Sequence, residues 1–459
     1  MANISYNNLQ YSSRNYTFAI TVFTPTDKTS FDSNNATLSI PLDNISNLVI
    51  NSSLTSPLLT GSISFSVIGN NPFQDILSNL YAYLNIFIAE HDGNLAKYDK
   101  QGFTKYFEHQ FLITKVNITE ITVNSISYSL DFISKDIWKV ENKIYVTTRA
   151  KELPIVNILN TAFKVAGLNL NLNNVDSNTV NRSIVYTSSI NDSLNTIVPY
   201  LQKQLLTPIN AVNSTANDMS LVSYVYNHMK DTYQLWNLNS FLTYLNNVNK
   251  SNLDYINICL GSNPMFSQFD QHAEILQCPS TNKFNTIQAL SQYNSYNFDF
   301  TTNTFNNIVL DNKTKTYLVD GNWQDKSATG IKFIKKYNEF NSNVYPGDKN
   351  IALDTYHSPS DSQTSLYSKL LNITLGDDTV LVKTVCDISR FPGNPVILSI
   401  LDSTTTDKTD LNSRLYSLYG PYLIVGNSMI YEYNATTKTP MFRNYLHLNR
   451  PINIKKYKN

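Results

Sequence analysis

From Leu54 to Trp138 apolar and polar side chains alternate in four successive runs: Ser56-Pro57-Leu58-Leu59-Thr60-Gly61-Ser62-Ile63-Ser64-Phe65-Ser66-Val67-Ile68, then Leu84–Ile88, His109–Val116 and Ser127–Ser134. A period of two sends the apolar set to one face of a strand and the polar set to the other. Turn residues separate the runs, at Gly69-Asn70-Asn71-Pro72, Asp92-Gly93 and Val123-Asn124-Ser125. Four closely spaced strands, each with one apolar face, predict a small antiparallel barrel or sandwich. Two earlier runs, Thr17–Phe23 and Ala36–Ile40, extend this block, which is expected to close near Glu141.

The period then changes. Ile155, Ile158, Leu159, Ala162, Phe163 and Ala166 follow the spacing of an amphipathic helix, with Pro154 at its first turn and Gly167 as its stop. A short strand is expected at Ser183–Tyr186. A second helix starting at Asn191 or Asp192 would bury Leu194, Ile197, Val198, Leu201 and Leu205, and Pro199 should kink or shorten it. Residues 210 to 310 are Asn-rich and aperiodic; Ser240 could cap a helix carrying Phe241, Leu242, Leu245 and Val248, and another could carry Phe284, Ile287, Leu290 and Tyr293. From about Lys332 the two-residue period returns, in Ser368–Leu375, Thr379–Val385, Val396–Leu401, Gly420–Gly426 and Tyr445–Arg450, with Phe391-Pro392-Gly393-Asn394-Pro395 as a turn. The expected fold class is mainly β with an α+β insertion: two small antiparallel β-barrel domains of related build, at 1–143 and 326–459, around a mixed α+β middle at 144–325.

Composition narrows the function. Lys+Arg 35 against Asp+Glu 35 gives a net charge of +0, and charged residues make up 15%, which argues against a general nucleic-acid binder. The basic run Lys455-Lys456-Tyr457-Lys458 is read as a solvated tail. Polarity comes from Asn, Ser and Thr, beside 30 Tyr and 22 Phe and only 13 Gly, a mix that suits strands, Asn turns and wet protein contacts. Cys259, Cys278 and Cys386 are too few and too far apart for a disulfide framework or a zinc site. The start Met-Ala-Asn-Ile-Ser-Tyr lacks the charged and apolar regions of a signal peptide, and no run of ~18 apolar residues occurs, so the expectation is a soluble chain made in the cytosol. Triplets such as Asn15-Tyr16-Thr17 and Asn117-Ile118-Thr119 arise by chance in so Asn-rich a chain and are not read as glycosylation sites.

Candidate chemistry is sparse. Glu90-His91-Asp92 with His109 can be drawn as a metal cluster, but a hairpin turn at Asp92-Gly93 with exposed polar neighbours accounts for it. Asp377-Asp378 and Asp402 can be drawn as paired carboxylates for glycoside hydrolysis, but they fall at strand ends, where Asp is turn chemistry. Cys386, between Val385 and Ile388, reads as a buried small residue. Trp138, Trp236 and Trp323 could stack on sugars, or serve in core and interface; Arg443 and Arg450 could pair between subunits, or be solvated. No G-x-x-x-x-G-K phosphate loop is present. The expectation is no catalytic, cofactor-binding or metal residues, no cofactor and no enzymatic activity.

In order and spacing, several of these segments together resemble the tail-hub (baseplate-hub) family of tailed phages, which also supplies the hub half of type VI secretion spike proteins. The resemblance rests on Ser56–Gly61 followed by its alternating strand, on His109–Val116 with Tyr128–Ser134, on Phe391–Val396, on Gly420–Val425 and on Leu446–Arg450, about half of the chain. It implies a homotrimer whose six barrels form a pseudo-sixfold ring, joining a hexameric tail-tube ring to a trimeric central spike among other baseplate proteins. DNA would pass through the channel without sequence-specific binding, and no stable membrane association is implied. The resemblance places the protein in the virion tail, assembled in the host cytoplasm. With the sequence ending at Asn459 and no lysozyme or needle domain, the spike would be a separate chain. The alternatives are a fibre or attachment protein binding host surface glycans, and a secreted carbohydrate-active protein.

Overall fold

The computed structural model describes residues 6–12, 14–27, 30–54, 56–91, 103, 105–172, 183–204, 222–227, 232–237, 254–260, 273–277, 292–299, 304–310, 349–353, 379–402, 420–434 and 439–449. The first block contains β1 (Asn7–Tyr11), β2 (Arg14–Asp27), β3 (Ser30–Ser39), β4 (Ile45–Ser53), β5 (Ser56–Ile68), the short helix α1 (Phe73–Leu77), β6 (Tyr83–His91), β7 (Lys105–Ile121), β8 (Ser125–Ser134) and α2 (Ile137–Glu141). The middle contains β9 (Leu153–Pro154), α3 (Ile155–Val165), β10 (Leu170–Asn171), β11 (Ser183–Ile184), α4 (Leu194–Gln204), β12 (Val222–Asn227), β13 (Thr232–Asn237), β14 (Asp254–Leu260), β15 (Glu274–Gln277), β16 (Gln292–Asp299), β17 (Thr304–Leu310) and β18 (Lys349–Leu353). The last block contains β19 (Thr379–Val385), β20 (Pro395–Asp402), β21 (Gly420–Asn434) and β22 (Thr439–Asn449). The chain is mainly β, with a mixed middle, as the periodicity predicts.

One sheet joins the two outer blocks. Its main path runs β1-β2-β6-β7-β8-β5-β4-β21-β22-β19-β15, with β3 beside β2 and β14 and β20 branching from β21. The crossing from block to block is the antiparallel pair β4–β21, from Ser53 opposite Gly426 to Asn47 opposite Glu432. One edge of β21 serves two strands in turn: its first residues pair with β20, and the stretch from Gly426 onward pairs with β4. Among the described residues no pairing returns to close either block on itself.

The sequence pattern does not single out β4, and its backbone explains why. Register shifts interrupt its pairing with β5 between Ile45 and Asn47 and again between Asn51 and Ser53. A bulge adds a residue to one strand, so the buried Ile45, Leu48 and Ile50 depart from strict alternation. The other strands keep the period: in β8, Tyr128, Leu130 and Phe132 are buried on one face, and in β5, Ile63, Phe65 and Val67. A single core cluster continues across the junction, taking in Phe18, Phe65, Phe107 and Phe111 from the first block and Met429, Tyr431 and Phe442 from the last. A second cluster, around Val380, Val396, Tyr422 and Leu446, lies within the last block and includes Ile256 of β14.

In the middle, α3 buries Ile155, Ile158, Leu159, Ala162 and Phe163 as its spacing predicts, and Gly167 ends it with a φ of 71°. Helix α4 buries Leu194, Ile197, Val198 and Leu201 and runs through Pro199. The expected strand at Ser183–Tyr186 is the two-residue β11, which pairs with β9. Tyr293, expected on a helix, lies in β16, opposite Leu310 of β17. The expected helix at Phe241–Val248, the helical residues Phe284, Ile287 and Leu290, Leu205, the Asp92-Gly93 turn and the strand Ser368–Leu375 lie outside the described residues.

Gly61 stands where β4, β5 and β8 meet. A Cβ there would overlap the Val49 carbonyl oxygen and come within 2.6 Å of the Phe132 ring, which covers the glycine from the neighbouring strand. We expect Gly61→Ala to destabilise the protein by about 1–3 kcal/mol, the usual cost of overpacking, read as a lowered urea midpoint at unchanged slope. A midpoint equal to that of the parent would show that both the Phe132 ring and the β4 backbone at Val49 give way freely.

Candidate functional site

The most densely connected site among the described residues is the seam between the two outer blocks, and it is built in layers. Innermost are aromatic rings that alternation on β2, β21 and β22 aims into a shared core. Tyr16 and Phe18 pack edge-on against Phe442, with centroids at 5.0 and 5.1 Å, and Phe18 also meets Tyr431 at 5.8 Å. The Tyr16 hydroxyl donates to the Cys386 carbonyl at 2.5 Å, so the first block satisfies a main-chain acceptor of the last. At the rim, Arg443 Nε donates to the Tyr11 hydroxyl at 2.7 Å.

Charged groups form the next layer. Arg14 at the start of β2, Glu90 near the end of β6 and Lys105 at the start of β7 are brought together by the pairing of these strands, in which Glu90 lies opposite Lys105. Asp387, in the turn after β19, enters this group from the other block. Arg14 Nη1 is 3.1 Å from both Glu90 Oε1 and Asp387 Oδ2, and Lys105 Nζ is 3.2 Å from Asp387 Oδ1. Asp387 Oδ1 also accepts from the Ser389 amide and hydroxyl, at 2.9 and 2.6 Å. Arg390, 2% exposed, extends the network: it forks onto Asp254 of β14 at 2.7 and 3.1 Å and donates to the Thr384 hydroxyl at 2.7 Å. Asn427 and Asn444 complete it through the Arg390 carbonyl and the Asp387 amide.

The two carboxylates at the seam respond in opposite senses. Burial works against the Asp387 anion, yet Arg390, Arg14 and Lys105 outweigh it and hold its carboxyl well below the usual carboxylate range. For Glu90, burial prevails over Arg14 and Lys105, and its pKa is raised. Burial opposes the Arg14 cation too, but Asp387 and Glu90 keep it protonated. The Cys386 thiol is pushed up by burial, which leaves it a poor nucleophile. This is the chemistry of a joint.

A polar cleft of about 300 Å³ opens elsewhere, over β6 and β7, with Glu108, Gln110, Lys135, Asp136, Lys139 and Tyr233 in its lining. Several of its polar groups engage one another: Lys135 donates to Gln110 at 2.8 Å, Tyr233 to Asp136 at 3.2 Å, and Lys139 pairs with Asp136 at 3.4 Å.

The structure scatters the candidates drawn from the sequence. Glu90 belongs to the seam, whereas His109 is buried and bonded to Ser134, so the two do not share a metal site. No group of three or more His, Cys, Asp or Glu suited to a metal ion occurs among the described residues. Cys386 is buried, Trp138 is 43% exposed on α2, and Arg443 pairs within the chain, with Tyr11. Asp402 ends β20, Trp236 lies in β13 and Cys259 in β14, while Asp92, Asp377, Asp378, Cys278, Trp323 and Arg450 lie outside the described residues. Sequence reasoning missed Arg14, Lys105, Asp254, Asp387 and Arg390. One signal was present: Asp387 and Arg390 interrupt the apolar run Val385-Cys386-Asp387-Ile388-Ser389-Arg390-Phe391, and charges embedded in such a run need partners.

The opposed shifts fix the signs of two substitutions. With its folded pKa lowered, Asp387 contributes stability that is present above the unfolded value of 3.8 and lost as pH falls through the folded pKa. We expect Asp387→Asn to cost about 1–3 kcal/mol at neutral pH, because it removes the carboxylate that Arg14 and Lys105 share while Glu90 and Asp254 still partner Arg14 and Arg390, and to flatten the acid limb of the stability curve. With its folded pKa raised above 4.5, the Glu90 anion carries a penalty at neutral pH that disappears as pH falls through the folded pKa. Glu90→Gln should therefore be neutral or stabilising at neutral pH. Urea melts across the acid range decide both, and equal losses for the two variants would contradict the assignment.

No protein-family model matches the sequence, and no curated protein matches it either. Solved structures with similarity to this chain are known. The 43 kDa tail protein of prophage MuSo2 from Shewanella oneidensis is similar over 94% of this chain and 98% of its own, at 8% identity and a TM-score of 0.50. A tail protein from Neisseria meningitidis MC58 aligns over 94% and 96%, at 9% identity and a TM-score of 0.49. The Francisella PdpA-VgrG complex, half-lidded, contains a chain aligning over 96% of this one and 60% of its own, at 12% identity and a TM-score of 0.47. The chain has the fold of the Shewanella prophage tail protein.

Proposed function

We propose that this chain is a structural hub of a phage-type tail, acting as a homotrimer. The observation that carries the reading is the seam: a strand pair, a shared aromatic core and a buried ion network make the two outer blocks one stiff body. We take the two locked strand blocks to be tube-type units that play equivalent parts, so three copies would contribute six. Such a ring matches a sixfold tail tube on one side and a threefold spike on the other. We assign the blocks at 1–143 and 326–459 as the two tube-type units; the middle at 144–325 lends β14 and β15 to the second, and β18, which falls at the start of that second range, pairs back to β16 of the middle. The fold shared with a prophage tail protein supports this placement in a virion tail. A net charge of +0 and polarity drawn from uncharged side chains suit a channel wall that DNA passes without sticking. The role is architectural, and the buried, mutually paired charges of the seam serve it.

Electron microscopy and light scattering on the purified full-length chain test the reading. We expect a threefold particle with a central opening and the mass of a trimer. A lone monomer at every concentration, or an elongated fibre with a terminal knob, would refute it.

A further inference from the structure

Three rows of side chains cross β5, β8 and β7 on the face that carries the core: Ile63, Leu130 and Val116; then Phe65, Tyr128 and Ile118; then Val67, Ile126 and Ile121. Exposure climbs along each row towards β7. Ile63 and Leu130 are at 0% and Val116 at 38%; Phe65 and Tyr128 at 1% and 3% and Ile118 at 55%; Val67 at 7% and Ile121 at 70%. A register shift between Ile118 and Glu120 takes up one extra residue and keeps Ile121 on the face of Ile118. The cover over this face stops short of β7: Asn71 bonds to the Tyr128 hydroxyl and Phe73 packs on Phe65.

The backbone ends its pairing at the same place. β6 pairs with β7 from Lys105 to Leu112, and the Ile113 amide bonds to the Ala82 carbonyl. Beyond it, Thr114–Ile121 has β8 on one side and no strand on the other among the described residues. An apolar face beside an open strand edge calls for an occupant with both a pairing backbone and an apolar face, which is a strand of another sheet. A lipid surface supplies no main-chain partners. The charged groups on this arm, Lys115 and Glu120, are of opposite sign and favour no strongly charged partner, and copies of a chain with net charge +0 approach without net repulsion.

We propose that the adjoining copy of this chain lays an edge strand along Thr114–Ile121 of β7 and covers Val116, Ile118 and Ile121. The inference rests on the ring reading above and names the contact through which the copies join. Hydrogen exchange and sedimentation on the full-length protein test it, with Ile118→Asp/Ile121→Asp as the disruptive variant and Ile118→Thr/Ile121→Thr as a milder one, each checked for an unchanged circular-dichroism spectrum. We expect slow exchange of the 114–121 amides in the assembled parent, fast exchange in the Asp variant, and association weakened more than about tenfold. A parent that is monomeric throughout overturns the ring reading and this contact with it. A trimeric parent whose 114–121 amides exchange fast, or whose Asp and Thr variants assemble as tightly as it does, overturns the contact alone. So does a variant that stays trimeric but loses its hold on a tail-tube or spike chain.

Discussion

The architecture depends on one strand pair. β4 lies between β5 of the first block and β21 of the last, and through it the hydrogen-bond ladder passes from one block to the other. Antiparallel pairing fixes both distance and direction, because each step of the ladder sets the next. The aromatic contacts of Tyr16 and Phe18 with Phe442 can form only when that ladder is in register. So can the meeting of Asp387 with Arg14 and Lys105. The seam is thus one cooperative unit, in which the backbone sets the frame and the side chains refine it.

Burying ions at such a joint stabilises less than it discriminates. Removing Arg14, Glu90, Lys105 and Asp387 from water carries a desolvation cost that their mutual attraction offsets only in good geometry. The pKa of Glu90 is raised in keeping with this cost: burial, together with the neighbouring Asp387 anion, outweighs Arg14 and Lys105. What the network adds is intolerance of alternatives: a slip between the blocks would leave Asp387 or Arg390 buried without its partners. An apolar seam of the same area would permit sliding.

Much of the fold was legible in the sequence, and the failures share a physical cause. The strands of strict alternation, such as β8 with Tyr128, Leu130 and Phe132, and the helix α3 with its spacing from Ile155 to Phe163, were readable because each buries one regular face. β4 was not, because bulges break the spacing of Ile45, Leu48 and Ile50, and its Asn and Ser content reads as loop. Tyr293 was misplaced because a short aromatic run fits either period. The seam was illegible for a different reason. Its charges come from β2, β6, β7, β14 and the turn after β19, so Arg14 and Asp387 become neighbours only in three dimensions. Glu90 was visible as a polar residue at a strand end, but its partners were not.

Among the described residues, the sheet that is continuous across the seam is open on the β7 arm. At the seam, every charge described has a partner inside the chain, so nothing there invites a second molecule. On the arm, the apolar face continues past the last covered strand, to Ile118 and Ile121. Exposed apolar strand edges in a protein that stays solitary are a hazard, and they persist where assembly covers them. The division between a sealed interior joint and an edge left open among the described residues would suit the ring subunit we propose: stiffness within each copy, so that the ring would inherit the angle between blocks, and unsatisfied surface between copies, so that the ring would close. Among the described residues, the network of Arg14, Glu90, Lys105 and Asp387 is sealed at the joint, where it ties the two blocks together.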